Sequence, residues 1–440
     1  MLAPSIILLI CCVCYGQTIS ESRKSGAYLT RSSLNGLWGH GFFEINWFGI
    51  PHELIGRTFA ALATANPPRS YYDILYLVHV TSQGGSVTTN APAPNFEVNS
   101  LMRGECLGYW ALILESGNMS TPTNNVLYSS CFTPRPRWMR ENCCSLSALS
   151  LTDMIIPGTH NSGMCRPRLM VSRGQLVYNQ YESITQQLAY GIRALDIRVQ
   201  WFRGEFYVTH DVVRGRLTIR QVLREVRNFV EVTGELVLLD FHRFPKGFEG
   251  TRKLAAERHE RLVNLIVTEL RGVLLKRFDH LKKMNEIFEG CKRDNRMSGH
   301  VVVFYNSNRY RGPYEDFLAP AIVHKWPDAQ SKRALIGFLE TDACAQESRN
   351  MVSIMAELTP KFPMFLVSTR RIAQLVNHDL TEYFRYKQEK CSGIISTDYF
   401  LGNGIIDVAI EANVVKGLRR LSLESFRPEP HNYCSLTAYP

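Results

Sequence analysis

Past Leu151 the chain alternates strand-like and helix-like patterns, and this alternation constrains the fold more than any other feature. Ile192 to Phe202, Phe206 to His210 and Glu235 to Phe241 read as strands. Ahead of the last of these, Ile219, Val222, Leu223, Val226, Phe229 and Val230 recur at helical spacing, and Gly234 supplies a stop. A long amphipathic helix is expected from about Lys253 to Leu274. Strands return at Val301 to Tyr305, Phe362 to Val367 and Gly393 to Tyr399, with a last helix from about Ile405. Repeated strand–helix units over this length predict an α/β fold, a TIM-type barrel over residues 151–440. A doubly wound sheet is the alternative, but no Gly-rich phosphate loop supports it.

A chain of 440 residues is too long for one ordinary core, so a second domain is expected in front of the barrel. There the pattern is short and β-like: Phe42 to Trp47, Tyr72 to Thr81, Ser86 to Thr89, Gly108 to Leu114 and Val126 to Cys131. Gly84-Gly85 separates two of these runs as a hairpin turn would. Pro-, Asn- and Ser-rich spacers complete the picture of a small all-β, sandwich-like domain over residues 17–132. The Pro- and Arg-rich run Thr133 to Trp138 marks a linker, taken as residues 133–150.

The chain is 45% hydrophobic and 20% charged, which fits a globular protein and excludes a disordered or membrane-embedded one. Its net charge of +10 is spread over pairs such as Lys276-Arg277 and Arg370-Arg371, so no nucleic-acid partner is expected. The scattered charge suits solubility or attraction to an anionic lipid surface. Ser5 to Tyr15 is apolar but too short to span a bilayer, and the small Gly16 follows it. Residues 1–16 thus read as a signal peptide, which predicts a secreted protein. Nine cysteines follow it, and secretion predicts disulfides among them with at least one left over. Asn118-Met119-Ser120 is a glycosylation sequon.

The apolar run Met154-Ile155-Ile156 stops at Pro157-Gly158 and delivers His160 and Asn161 into a loop. In Ala194-Leu195-Asp196-Ile197-Arg198, strand alternation puts Asp196 and Arg198 on one face. The same rule groups Leu238, Asp240 and His242. His210 and Asp398 fall near the ends of two further strands. A barrel gathers such positions at one mouth, and that convergence is the functional signal.

His160-Asn161-Ser162-Gly163, Gly191 to Arg198 and Leu238-Leu239-Asp240-Phe241-His242 resemble the X-domain of phosphatidylinositol-specific phospholipases C. The resemblance covers roughly Leu151 to Glu411 and is nearest to the secreted animal, metal-independent type. It implies a phosphoric diester hydrolase or lyase that cleaves the glycerol–phosphate bond of inositol phospholipids or glycosyl-phosphatidylinositol anchors, in peripheral contact with a membrane. His160 is then the general base on the inositol 2-hydroxyl, and His210 the general acid toward the departing diacylglycerol oxygen. An imidazole pKa of about 6.5 suits both tasks. Arg198 holds the phosphate and Asp398 orients His160. By position alone, Asn161, Asp196, Asp240 and His242 are candidates for holding substrate.

Two positions depart from the family. Asn161 stands where bacterial members carry an aspartate, and His210-Asp211 where His-Gly is usual. Both bear on activity, so the alternative reading is a secreted lipid- or head-group-binding protein of little or no turnover. Calcium-dependent members need a carboxylate where this chain has Arg198, so no metal and no cofactor is expected. Related barrels acting on lysophospholipid or sphingomyelin-like head groups use acidic metal ligands near the first histidine, which Asn161 and Arg198 do not match.

Overall fold

The computed structural model describes residues 25–35, 41–115, 125–165, 177–289, 291, 299–307, 310, 312–344, 350–360, 367–387 and 390–425. The chain divides into two compact units, residues 1–95 with 105–133, and residues 96–104 with 134–440.

Among the described residues the first unit holds seven strands: β1 (Gly26–Asn35), β2 (Gly41–Phe48), β3 (Thr58–Ala63), β4 (Ile74–His79), β5 (Gly85–Pro92), β6 (Trp110–Glu115) and β7 (Val126–Cys131). They form two antiparallel sheets, β1-β2-β5 and β4-β3-β6-β7. Phe43, Ile45 and Trp47 from one sheet share a core with Ala60, Leu62, Ala111 and Ile113 from the other, so the unit is a sandwich. Cys106 is disulfide-bonded to Cys131. Two strands, β1 and β3, had not been expected; β3, Thr-Phe-Ala-Ala-Leu-Ala, has no alternation because five of its six residues are buried. The expected hairpin at Gly84-Gly85 is not formed, since β4 and β5 belong to different sheets. Gly85 pairs with Trp47 of β2, and a Cβ there would lie 2.6 Å from the indole. Close approach to a ring, not a tight turn, is what this glycine serves.

In the second unit, among the described residues, eight parallel strands follow one another around a barrel: β8 (Ile155–Thr159), β9 (Ala194–Phe202), β12 (Leu236–Lys246), β13 (His300–Tyr305), β14 (Leu318–Ala319), β15 (Val323–Lys325), β16 (Val352–Met355) and β17 (Gly393–Thr397). β17 pairs back onto β8, and among the described residues the ladder is open only between β14 and β15. The remaining strands, β10 (Glu205–His210) and β11 (Val213–Thr218), form an antiparallel extension of β9. This is a TIM-type α/β barrel, preceded in the chain by a small all-β unit. Gly158 lets β8 and β17 close, because a Cβ there would lie 2.6 Å from Ile394 Cγ2.

The helix Ile219–Thr233 forms where expected, capped by Thr218 with Gln221 and ended by left-handed Gly234. The next helix, Arg252–Glu269, stops short of the expected Leu274, and the last, Ile405–Ser425, begins as expected. The strand expected at Phe362 to Val367 lies mostly outside the described residues, and β16 supplies the seventh barrel strand instead. β14, β15 and β16 are two to four residues long, too short for periodicity to reveal.

Residues 134–150, read as a linker, pack into the barrel unit, with Trp138, Met139, Cys143, Leu146 and Leu149 in its core. Two groups from strand entrances hold them. Arg193 donates to the carbonyls of Arg135 and Pro136, and Glu235 accepts the N–H groups of Met139 and Arg140. Arg193 and Glu235 also form a fully buried ion pair at 2.7 Å. Cys143–Cys291 and Cys344–Cys391 are further disulfides. Among the described residues, no helix is long and apolar enough to cross a membrane.

Candidate active site

The sequence-derived site residues of the barrel lie on its strands or just past their ends. His160 follows β8, Asp196 and Arg198 lie on β9, His210 ends β10, Asp240 and His242 lie on β12, and Asp398 follows β17. Asp240 is in register with Asp196, and the pairing then slips between Phe241 and Arg243. His242 is therefore the extra residue of a β-bulge, which turns its ring beside both carboxylates.

His160 is held from three sides. Its backbone N–H donates to Thr397, and its Nδ1 lies 2.8 Å from Asp398 Oδ1. Its Nε2 lies 2.7 Å from Arg198 Nη2. A guanidinium can only donate, so Nε2 accepts, and the ring is the Nδ1–H tautomer with its proton toward Asp398. Burial alone would push the His160 pKa down, but the Glu357 and Asp398 carboxylates outweigh it and hold it above the ordinary value, while Arg198 pulls the other way.

Arg198 is fixed by Asp196 through Nη2 to Oδ2 at 3.0 Å and Nε to Oδ1 at 3.3 Å. Burial alone would raise the Asp196 carboxyl; Arg198, with His242 and His160, holds it well below the usual carboxylate range. The Asp196–Arg198 pair is thus a positioned charge with its own counterion.

His210 stands opposite, its ring centroid 6.5 Å from that of His160. Its Nδ1 donates to the Val177 carbonyl at 3.0 Å, so Nε2 is the ring nitrogen left for a ligand. Burial, then the positive charges of His160 and Arg198, push its pKa below the ordinary value. Asp211 has a left-handed φ of 50° and a largely exposed side chain, 3.9 Å from His210 Nε2. It lies beyond hydrogen-bond distance of His210 and 3.8 Å from Arg243. Asn161, also left-handed at φ 47°, donates from Nδ2 to Asn179 Oδ1, and its backbone N–H donates to Asp196.

Three site residues went unnoticed in the sequence. Asn179 donates to Asp398 Oδ1 at 3.0 Å, so it braces the residue that braces His160. Glu357, two residues past β16, is buried with Oε2 unpartnered, and burial raises its pKa to about 7 against the pull of His160. His324 on β15 contacts Asp240 Oδ2 at 2.7 Å. Neither Asn179 nor Glu357 sits on a strand, and β15 is three residues long, so alternation points to none of them. Asp240 Oδ1 and His242 Nδ1 are likewise buried without a hydrogen bond. Such orphans cost about 1–3 kcal/mol each, a cost that a polar ligand removes. Asn118 lies outside the described residues.

A buried Asp–His–Arg array facing a second histidine can take up a proton on one side of a bound group and give one up on the other. No family model matches the chain. One curated relative, a PI-PLC X-box domain-containing protein of Dictyostelium discoideum, is 23% identical over 193 residues, which covers 40% of this chain. The match spans about a quarter of that relative, 26% of its length. Among solved structures, the phosphatidylinositol-specific phospholipase C of Staphylococcus aureus aligns with a TM-score of 0.47 at 15% identity, over 64% of this chain and 97% of that one. That of Listeria monocytogenes aligns with a TM-score of 0.46 at 17% identity, over 64% and 98%. The family that the chain resembles is thus that of the phosphatidylinositol-specific phospholipase C X-domain, and the resemblance stands on a curated relative as well as on the residues.

Proposed function

We propose that the protein is a secreted phosphodiesterase that cleaves the glycerol–phosphate bond of an inositol phospholipid or glycosyl-phosphatidylinositol anchor. The observation that carries this reading is the array Asp398–His160–Arg198 with His210 on its far side. In this mechanism a phosphate oxygen replaces His160 as the partner of Arg198 Nη2, which frees the Nε2 lone pair. His160 then takes the proton of the inositol 2-hydroxyl as that oxygen attacks phosphorus. The bond from phosphorus to the glycerol oxygen breaks, and His210 Nε2 gives that oxygen its proton. The products are a cyclic inositol phosphate and diacylglycerol.

The resting charges make the substrate part of the catalyst. With His210 lowered, the protonated acid that the reaction needs is disfavoured in the free site. A phosphate anion between the rings raises His210 and so supplies the protonated acid; it raises His160 as well, and the neutral base is then gained as pH rises. Asp240, His242 and Glu357, with their unpaired atoms, are suited to the inositol hydroxyls. Val212, 72% exposed in the turn after His210, and Trp326 offer apolar contact to a membrane, which the net charge of +10 favours.

A second reading, a head-group-binding protein without turnover, is favoured by the same 2.7 Å contact, since Arg198 occupies the lone pair that a base must use. Incubation with phosphatidylinositol vesicles separates the two. Release of diacylglycerol with cyclic inositol phosphate supports the enzyme; saturable vesicle binding without either product supports the binding protein.

A further inference from the structure

Beside the two catalytic histidines lies a second constellation that the proton transfers do not use. We propose that Asp240, His242 and His324 form a binding site for a divalent transition metal of the zinc type. One donor atom from each of the three lies within 4.8 Å of the other two. His324 Nε2 is 2.7 Å, and His242 Nδ1 3.4 Å, from the same Asp240 oxygen. Ligand atoms around a tetrahedral zinc, at bonds of about 2.0–2.2 Å, stand about 3.3–3.5 Å apart, so small shifts complete the geometry.

The second observation is one of unmet bonding. Asp240 and His242 are both at least nine-tenths buried, and Asp240 Oδ1 and His242 Nδ1 have no hydrogen-bond partner. His242 Nδ1 lies 3.2 Å from Asp196 Oδ1 without hydrogen-bonding it. The backbone has bulged to bring this imidazole in, and its ring packs 4.2 Å from that of His324. Two imidazoles and one carboxylate select zinc-like ions. Calcium needs six to eight oxygens, which the trio does not offer. Arg198, whose charge reaches His324, is neutralised by Asp196, whose carboxylate contacts both Arg198 and His242.

Metal at this site occupies Asp240 and His242, which the proposed function assigns to the inositol hydroxyls. Zinc and head group therefore compete. This consequence rests on that function; the binding itself does not. The test uses the untagged, chelator-treated full chain, titrated with Co(II) in the visible region and with Zn(II) by calorimetry. One equivalent of Co(II) should give the intense absorption of four- or five-coordinate cobalt, and Zn(II) should displace it. His324→Ala, with His324→Gln as its milder counterpart, should weaken binding at least 100-fold, whereas the exposed His52→Ala should not. Absence of stoichiometric binding, or binding undiminished in both His324 variants, overturns the site. Turnover of phosphatidylinositol is measured alongside, with zinc expected to inhibit it. Turnover without metal binding sinks this site alone, and metal binding without turnover sinks the proposed reaction alone.

Discussion

Replacing Asp398 by asparagine removes the charge that orients His160 while keeping nearly the same volume. The lost contact is a 2.8 Å bond from a ring N–H to a carboxylate, also braced by Asn179 at 3.0 Å. A hydrogen bond to a charged group is worth about 1.5–3 kcal/mol net, and each 1.36 kcal/mol is tenfold in rate, so kcat should fall about 10- to 150-fold. The pKa shift adds a direction. Asp398 is among the groups that hold the His160 pKa up, so its loss lowers that pKa. In the substrate complex activity rises with pH as His160 loses its proton, and this ascending limb should move to lower pH in the variant. Initial rates of phosphatidylinositol cleavage from pH 5 to 9 give both quantities, and NMR titration of the histidine ring protons gives the His160 midpoint directly. An unchanged kcat, or a His160 midpoint that stays put or rises, refutes the reasoning.

Three other outcomes are expected. His160→Ala and His210→Ala should each lower turnover by about a hundred- to ten-thousand-fold with the thermal melt little changed, and parental rates in either would make that histidine structural. Arg193→Met strands the buried Glu235 carboxylate and the helix N–H groups it serves, so urea unfolding should show a loss of about 3–5 kcal/mol; a loss under 1 kcal/mol would contradict the ion-pair account. Expression in animal cells should yield a secreted chain that lacks residues up to about Gly16 and carries a glycan at Asn118, as read by mass spectrometry; a cytosolic chain with its N-terminus intact would contradict both.

What could be read from the sequence follows from element length and side-chain alternation. Residues 192–246 carry long strands with charges on one face, so Asp196, Arg198, His210 and Asp240 are legible in the sequence alone. The later strands, at two to four residues, carry too little pattern, and His324 and Glu357 went unseen with them. The linker was misjudged for a different reason. Pro134 and Pro136 read as punctuation, yet their segment is docked by Arg193 and Glu235, whose partners are backbone groups that no side-chain pattern reveals. At Gly84-Gly85 the sequence signalled a turn where the structure needed room for Trp47. His242 was placed by simple alternation, but a bulge delivers it, and bulges leave no mark in one sequence.

The central claim, that Arg198 and two histidines cleave the lipid without a metal, is tested most directly by turnover in excess EDTA. The parent chain, chelator-treated, is incubated with phosphatidylinositol vesicles, and phosphorus NMR follows the head group before and after calcium is added back. The account predicts cyclic inositol phosphate at an equal rate with and without calcium, and near-complete loss of it in Arg198→Asp under EDTA. Activity abolished by chelator and restored by calcium would contradict it.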